Sequence, residues 1–225
     1  MLCRSLPLTL QALLFWFAGP LSAMEFSLAE SNSPFVNRHT GDKVQWMPWG
    51  EAAFKRAKDE NKPIFVFVGY TGCYWCERMR VDSFSVDGEA TRLLNRQFIP
   101  ILIDKDEYPG LNNIFMTYAE MNRSGAGWPL CVWLTPDLTP FSVGGYFGLN
   151  PRGKRAALKT VIEHVNDQWE KRPDYVQEQS ERDIKKIQDV IDTLHAFRKE
   201  VDPSEIASRA VESLSANFDP TRGGF

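Results

Sequence analysis

The sequence predicts an α/β fold, a mixed central sheet flanked by helices, and three observations predict it. Ile64-Phe65-Val66-Phe67-Val68 is a continuous apolar run of strand length, with the look of a strand buried on both faces, and Ile99-Pro100-Ile101-Leu102-Ile103 reads as another strand. Segments with apolar residues at helical spacing alternate with such runs between residues 36 and 172. Cys73 and Cys76 follow the first run directly and open a segment free of Gly and Pro until Gly88, giving the order strand, short turn, cysteines, helix.

From the N-terminus, residues 1–23 have the order of a secretory signal peptide. One basic residue, Arg4, precedes an apolar run from Leu8 to Ala18, a Gly19-Pro20 break and Leu21-Ser22-Ala23 at the cleavage point. The run is shorter than the about 20 apolar residues a bilayer-spanning helix needs. Cleavage after Ala23 would leave a secreted or secretory-pathway protein with no stable membrane span and without Cys3. The alternatives are an uncleaved anchor and a mitochondrial presequence, and a single basic residue argues against the second. The chain ends Arg222-Gly223-Gly224-Phe225, which is no retention tetrapeptide.

After a polar stretch, Trp46 and Trp49 flank Pro48, and GEAAFKRAKDENK carries Ala53, Phe54 and Ala57 on one side of a predicted helix that Lys62-Pro63 stops. Beyond the cysteines, DGEATRLLNRQF predicts a second helix with Asp87 as its N-cap. Residues 104–108 form a charged turn, 109–121 a helix, and 130–134 a strand entered through the glycine-rich break Gly125-Ala126-Gly127-Trp128-Pro129. Pro140 to Phe147 is a further strand that Gly144-Gly145 bends or bulges. Asn150 and Pro151 then read as N-cap and first residue of a helix to about Trp169. From Pro173 the chain is highly charged, with Ile184, Ile187, Val190, Ile191 and Leu194 at the spacing of a long amphipathic helix. Asp202-Pro203 restarts a last helix to about Ala216. These elements divide the chain into a leader over 1–23, an α/β domain over 24–172 and a helical extension over 173–225.

A composition of 43% hydrophobic and 24% charged residues describes an ordinary globular chain. The formal charge of -3 removes the electrostatic reason to expect nucleic acid as a partner. Four cysteines are too sparse for a disulfide scaffold, so a disulfide here is chemistry before architecture. A structural zinc site wants four ligands, and only Cys131 and the scattered His39, His164 and His195 accompany the pair, so no metal and no other cofactor is expected.

A cysteine reacts as the thiolate, and a free thiol with a pKa of about 8.5 is mostly protonated at neutral pH. Cys73 stands at the predicted start of a helix, where unpaired backbone N–H groups favour the negative form. Cys76, a turn further on, is placed to attack a mixed disulfide on Cys73. In this scheme Cys73 is the nucleophile and Cys76 the resolving thiol; otherwise the two are buried structural thiols. Trp128-Pro129, entering a strand, is a candidate cis peptide. In thioredoxin-like folds such a loop lies against the cysteine pair and offers backbone to an extended substrate; the plainer reading is a turn proline. Cys131, on the strand that follows, lies near the pair or is simply a small buried hydrophobe.

Together these residues resemble the thioredoxin-like domain of the spermatogenesis-associated protein 20-like family. The resemblance is carried by Ser33-Pro34-Phe35, Trp46-Met47-Pro48-Trp49-Gly50-Glu51-Ala52-Ala53-Phe54, Lys62-Pro63-Ile64-Phe65, Gly69-Tyr70 leading to Cys73-Tyr74-Trp75-Cys76, and Asp82-Ser83-Phe84. It continues through Gly127-Trp128-Pro129-Leu130, Leu134-Thr135-Pro136-Asp137-Leu138 and Gly144-Gly145-Tyr146-Phe147, so that it spans residues 33–172 in order. It implies a thioredoxin-like fold with a C-terminal helical extension. In that family a large helical toroid resembling sugar epimerases and six-hairpin glycosidases follows, and residues 203–225 are similar to its opening. The chain holds no complete toroid, as a truncated gene product or a reduced paralogue would not, and no sugar chemistry is predicted for it. Two departures stand out. Tyr74 and Glu77 replace histidines common in the family, which makes Cys73 less acidic and the pair less oxidising. The acidic turn, Asp104 to Gly110, also differs from the family's.

The sequence thus predicts a thiol-disulfide oxidoreductase acting on protein thiols or disulfides, with Cys73 and Cys76 as the reacting pair and Tyr74, Trp75, Trp128 and Pro129 shaping a substrate groove. The alternatives are a non-catalytic thioredoxin-fold module that binds a partner protein, and a remnant of a sugar-active fusion enzyme.

Overall fold

The computed structural model describes residues 28, 31–122, 124, 127–151, 156–196 and 202–224. The predicted signal segment, 1–23, lies outside the described residues. Among the described residues no helix is long and apolar enough to cross a membrane.

Four strands form one mixed sheet: β1 (Ile64–Gly69), β2 (Ile99–Asp104), β3 (Leu130–Leu134) and β4 (Pro140–Gly144), in the order β2-β1-β3-β4. β1 runs parallel to β2, with Ile64 opposite Ile99, and antiparallel to β3, which is itself antiparallel to β4. β1, β2 and β3 are buried along their whole length, as their apolar runs require. Alternation then sorts the side chains. Phe65, Phe67, Leu102, Cys131 and Trp133 enter one core, and Ile64, Val66, Val68, Ile99, Ile101, Ile103 and Leu130 enter the other.

The first core is completed by α1 (Pro34–Arg38), α3 (Tyr74–Met79), α4 (Glu89–Gln97) and α6 (Leu158–Lys171), which contribute Phe35, Met79, Leu94 and Ile162. The second takes Ala53 and Ala57 from α2 (Glu51–Asp59) and Phe115, Tyr118 and Ala119 from α5 (Pro109–Met121). Asn61 ends the α2 turn in the left-handed region, φ 47, where asparagine is tolerated better than most residues.

Three helix boundaries or faces depart from the sequence expectation. α4 is capped by Gly88 and not Asp87, whose carboxylate is taken by Arg92 at 2.9 Å. α6 begins at Leu158 and not at Pro151, because the helix starts where its buried face, Leu158, Ile162 and Val165, begins. In α7 (Pro173–Ala196) the buried positions are Val176, Ser180, Asp183 and Ile187, while Ile184 is exposed. The predicted apolar stripe holds at Ile187 and Ile191 and fails at Ile184, because a carboxylate, Asp183, takes the buried position there. Asp183 is buried against α5, where it accepts hydrogen bonds from Tyr118 Oη at 3.2 Å, Gln179 Nε2 at 2.8 Å and, through its other oxygen, Lys186 Nζ at 3.0 Å. The expected division at residue 172 falls between α6 and α7, and α7 packs against α5, α6 and β4. α8 (Pro203–Asn217) is capped by Asp202, which accepts the Ser204 N–H at 2.9 Å.

Candidate functional site

β1 ends at Gly69, and the chain turns through Tyr70 to Gly72 before α3 begins. Cys73 is the N-cap of α3: its N–H donates to the Tyr70 carbonyl at 3.1 Å, its carbonyl accepts the Glu77 N–H at 3.1 Å, and its sulfur accepts the Cys76 N–H at 3.1 Å. That last contact satisfies a helix-start donor that has no intrahelical partner, and it would stabilise negative charge on the same sulfur. Cys73 and Cys76 are joined by a disulfide. Cys73 is the more exposed of the two, at 6% against 1%.

The turn is tight because Gly69 lies beneath the pair. A Cβ there would stand 2.6 Å from Phe35 Cζ and 2.9 Å from Cys76 Sγ. Gly69→Ala is therefore expected to lower stability by about 1–3 kcal/mol through overpacking, seen as a lower denaturation midpoint with an unchanged slope.

Of the groove residues expected from the sequence, Tyr74 and Trp75 stand out from the surface at 70% and 49% exposure. Trp75 packs its ring 4.9 Å from Tyr146, and the two tyrosines, Trp75, Arg78 and Leu149 line a groove of about 580 Å³ between α3 and the segment after β4. Trp128 belongs to a second wall. Its ring meets Tyr70 edge-on at 5.5 Å, its indole N–H donates to Asn112 at 2.9 Å, and Lys105 Nζ stands over both rings at 4.7 and 5.3 Å. The Trp128-Pro129 peptide is cis. The Pro129 carbonyl comes within 3.6 Å of where a Gly145 side chain would begin, so the loop approaches the segment that carries Tyr146. Sequence reading did not include Tyr146, Tyr70 or Lys105 among the site residues. The Gly144-Gly145-Tyr146-Phe147 motif and the altered acidic turn were the signals available for them.

Glu77 does not stand free beside the cysteines. Arg80 Nη2 and Nε grip its two oxygens at 2.8 and 3.1 Å, with Arg38 at 3.9 Å, and these bonds hold its carboxyl below the ordinary value. The negative charge that Glu77 brings near the cysteines is thus paired, with a partner that lies a turn further along the chain. Arg80 also reaches Asp42 Oδ1 at 3.2 Å and Ser85 Oγ at 2.9 Å. The Asp42 side chain is buried and accepts hydrogen bonds from His39 Nδ1 at 2.6 Å and Trp46 Nε1 at 3.0 Å. Burial alone would raise the Asp42 pKa, but the His39 interaction, with help from Trp46 and Ser85, carries it below the ordinary carboxylate value.

Cys131 lies in the same core cluster as the pair and is fully buried; desolvation pushes its thiol far up, so it packs as a small protonated hydrophobe. Among the described residues no three His, Cys, Asp or Glu side chains gather into a metal-ligand cluster.

The parallel β1–β2 pair, the antiparallel β3 and β4, the cysteine pair between β1 and its helix, and the Trp-Pro loop before β3 define a thioredoxin-fold protein with a Cys-x-x-Cys pair. Residues 25–188 match the family model Thioredox_DsbH, described as protein of unknown function, DUF255, and the chain belongs to that family. In keeping with the resemblance read from its motifs, it is 36% identical over 207 residues to spermatogenesis-associated protein 20 of Rattus norvegicus and 34% identical to that of Homo sapiens. Each match takes in 88% of this chain and 25% of the relative, so the chain spans about a quarter of the length of these curated relatives. Among solved structures it is similar to one titled DsbH Oxidoreductase, with a TM-score of 0.39 and 17% identity over 55% of this chain and 83% of the other.

Proposed function

We propose that the protein is a thiol-disulfide oxidoreductase that exchanges electrons with protein thiols or disulfides through Cys73 and Cys76. The observation that carries this reading is the Cys73–Cys76 disulfide at the start of α3, with a backbone N–H directed at the Cys73 sulfur and exposed aromatic residues beside it.

In the reducing direction, the Cys73 thiolate attacks one sulfur of a substrate disulfide, forming a mixed disulfide and releasing the other substrate sulfur as a thiolate that takes up a proton. Cys76, once deprotonated, attacks the Cys73 sulfur, and the second substrate thiol leaves. Two electrons have passed to the substrate, the pair is again a disulfide, and a dithiol donor returns it to the reduced state. The reverse sequence oxidises a substrate dithiol. The groove formed by Tyr74, Trp75 and Tyr146 supports an extended substrate segment with apolar side chains next to its cysteine, and the Trp128-Pro129 loop would border that segment.

In this reading the chain comprises a leader over 1–23 that directs it to the secretory pathway, a redox domain over 24–172 and an extension over 173–225, part of which packs back on the domain. N-terminal sequencing of protein recovered from expressing cells tests the leader: a start at Met24 supports export, whereas an intact Met1 or a mitochondrial location removes it.

The reading as a whole is tested by equilibrating the full chain in thiol buffers of defined potential, alkylating free thiols and locating them by mass spectrometry. A reversible two-electron transition confined to Cys73 and Cys76 is the expected result. Thiols that stay unreactive until the protein is denatured would instead favour a binding module with structural cysteines.

A further inference from the structure

The redox reading leaves unexplained why a carboxylate follows the cysteine pair directly. Glu77 lies four residues beyond Cys73, and its N–H bonds to the Cys73 carbonyl, so the two side chains share one face of α3. Helical side chains lean toward the N-terminus, which directs a free Glu77 carboxylate back over the turn that carries Cys73. There it would oppose formation of the thiolate.

The structure holds the carboxylate elsewhere. We propose that Arg80 is a positioning residue that sets the nucleophilicity of Cys73, by clamping and neutralising Glu77; the proposal rests on the exchange reading above.

Two features make the clamp firm. Arg80 presents two nitrogens to the two oxygens of Glu77, at 2.8 and 3.1 Å, the fork geometry that a lysine cannot reproduce. Its third nitrogen is held from the opposite side by Asp42 at 3.2 Å and Ser85 at 2.9 Å. Asp42 is in turn fixed by His39 and Trp46 in the core. Arg80 is therefore tied to a buried acceptor that does not depend on Glu77. The other groups whose charge bears on Glu77 are Arg38, at 3.9 Å from a more exposed position, and His39, which favours the carboxylate when protonated, while Arg78 is engaged with Asp82 at 2.9 Å. The cluster of Arg38, Glu77, Arg80 and Asp42 carries two positive and two negative charges when His39 is neutral.

The test is a double-mutant cycle read by the rate at which a neutral alkylating agent modifies Cys73 in the reduced, folded full chain, across pH 5 to about 9, bracketing the thiol range. Circular dichroism reports folding in parallel. Glu77→Gln alone is expected to change the rate less than about twofold, because the charge it removes is already neutralised. Arg80→Lys retains a cation for Asp42 but loses the fork, and is expected to slow modification at neutral pH roughly three- to tenfold. Adding Glu77→Gln to Arg80→Lys should restore the parent rate, which a role in folding alone would not produce. The proposal is overturned if Glu77→Gln accelerates modification as much in the parent as in the Arg80→Lys background, or if Arg80→Lys leaves the pH profile unmoved. Both of those results leave the exchange reading intact. A parent Cys73 that resists modification until denaturation overturns the exchange reading and this proposal with it.

Discussion

Replacing Cys73 by serine is expected to abolish disulfide exchange, with turnover against a protein disulfide falling by at least about a hundredfold, since the hydroxyl offers no thiolate at neutral pH. Cys76→Ser should behave differently. Its nucleophile remains, so the first exchange proceeds and the mixed disulfide on Cys73 has no internal thiol to resolve it. The variant should therefore accumulate a covalent adduct with its substrate, visible as a mass increase that a reductant removes. The pairing of outcomes distinguishes the roles: loss without adduct for Cys73, adduct without turnover for Cys76. Adducts in both variants, or in neither, would reverse or remove the assignment.

The second large effect concerns stability. The Asp42 side chain is buried and accepts hydrogen bonds from His39, Trp46, Arg80 and Ser85. Asp42→Ala strips a buried cluster of its central acceptor and leaves the His39 Nδ1, the Trp46 indole N–H and part of the Arg80 guanidinium without that partner. Breaking a buried ion pair from one side costs about 3–5 kcal/mol, a large part of a domain's stability. The same contact predicts a pH dependence. The folded-state pKa of Asp42 lies below its unfolded value, so its contribution is fully present above about pH 4, the unfolded carboxylate value, and is lost as pH falls through the folded value. Denaturant titrations at neutral and at acidic pH should show the gap between parent and Asp42→Ala narrowing in acid. A gap that stays constant would mean that the carboxylate charge does not matter there.

Much of the fold was legible locally. Continuous apolar runs marked β1, β2 and β3, because strands buried on both faces leave no polar positions to blur them. The helix over Pro109–Met121 was likewise bounded by its first-turn proline and the polar break that follows. The cysteine pair was legible for the same reason: the turn from Gly69 to Cys73 and the helix after it are set by neighbours in sequence.

In α7 the apolar stripe was read correctly at Ile187 and Ile191 and wrongly at Ile184, because hydropathy counts Asp183 as solvent-facing, and the Tyr118 hydroxyl that donates to it in the core lies 65 positions away. The start of α6 was misread because Asn150-Pro151 has the chemistry of a helix start, while the buried face of the helix itself begins at Leu158.

By itself the sequence determined the strand-turn-cysteine-helix unit, the alternation of elements and the place of the Trp-Pro loop, all consequences of local spacing and backbone chemistry. Only the tertiary structure decided what surrounds the cysteines. It brought Tyr146 to Trp75 and Lys105 to Tyr70 and Trp128, and it joined Arg80 to an aspartate 38 positions earlier in the chain. Such pairings depend on how the sheet orders its strands and on which side chains are thereby desolvated together. A charge such as Glu77 reads as a liability in sequence and as half of an ion pair in space, because its electrostatic effect is set by distance through the fold.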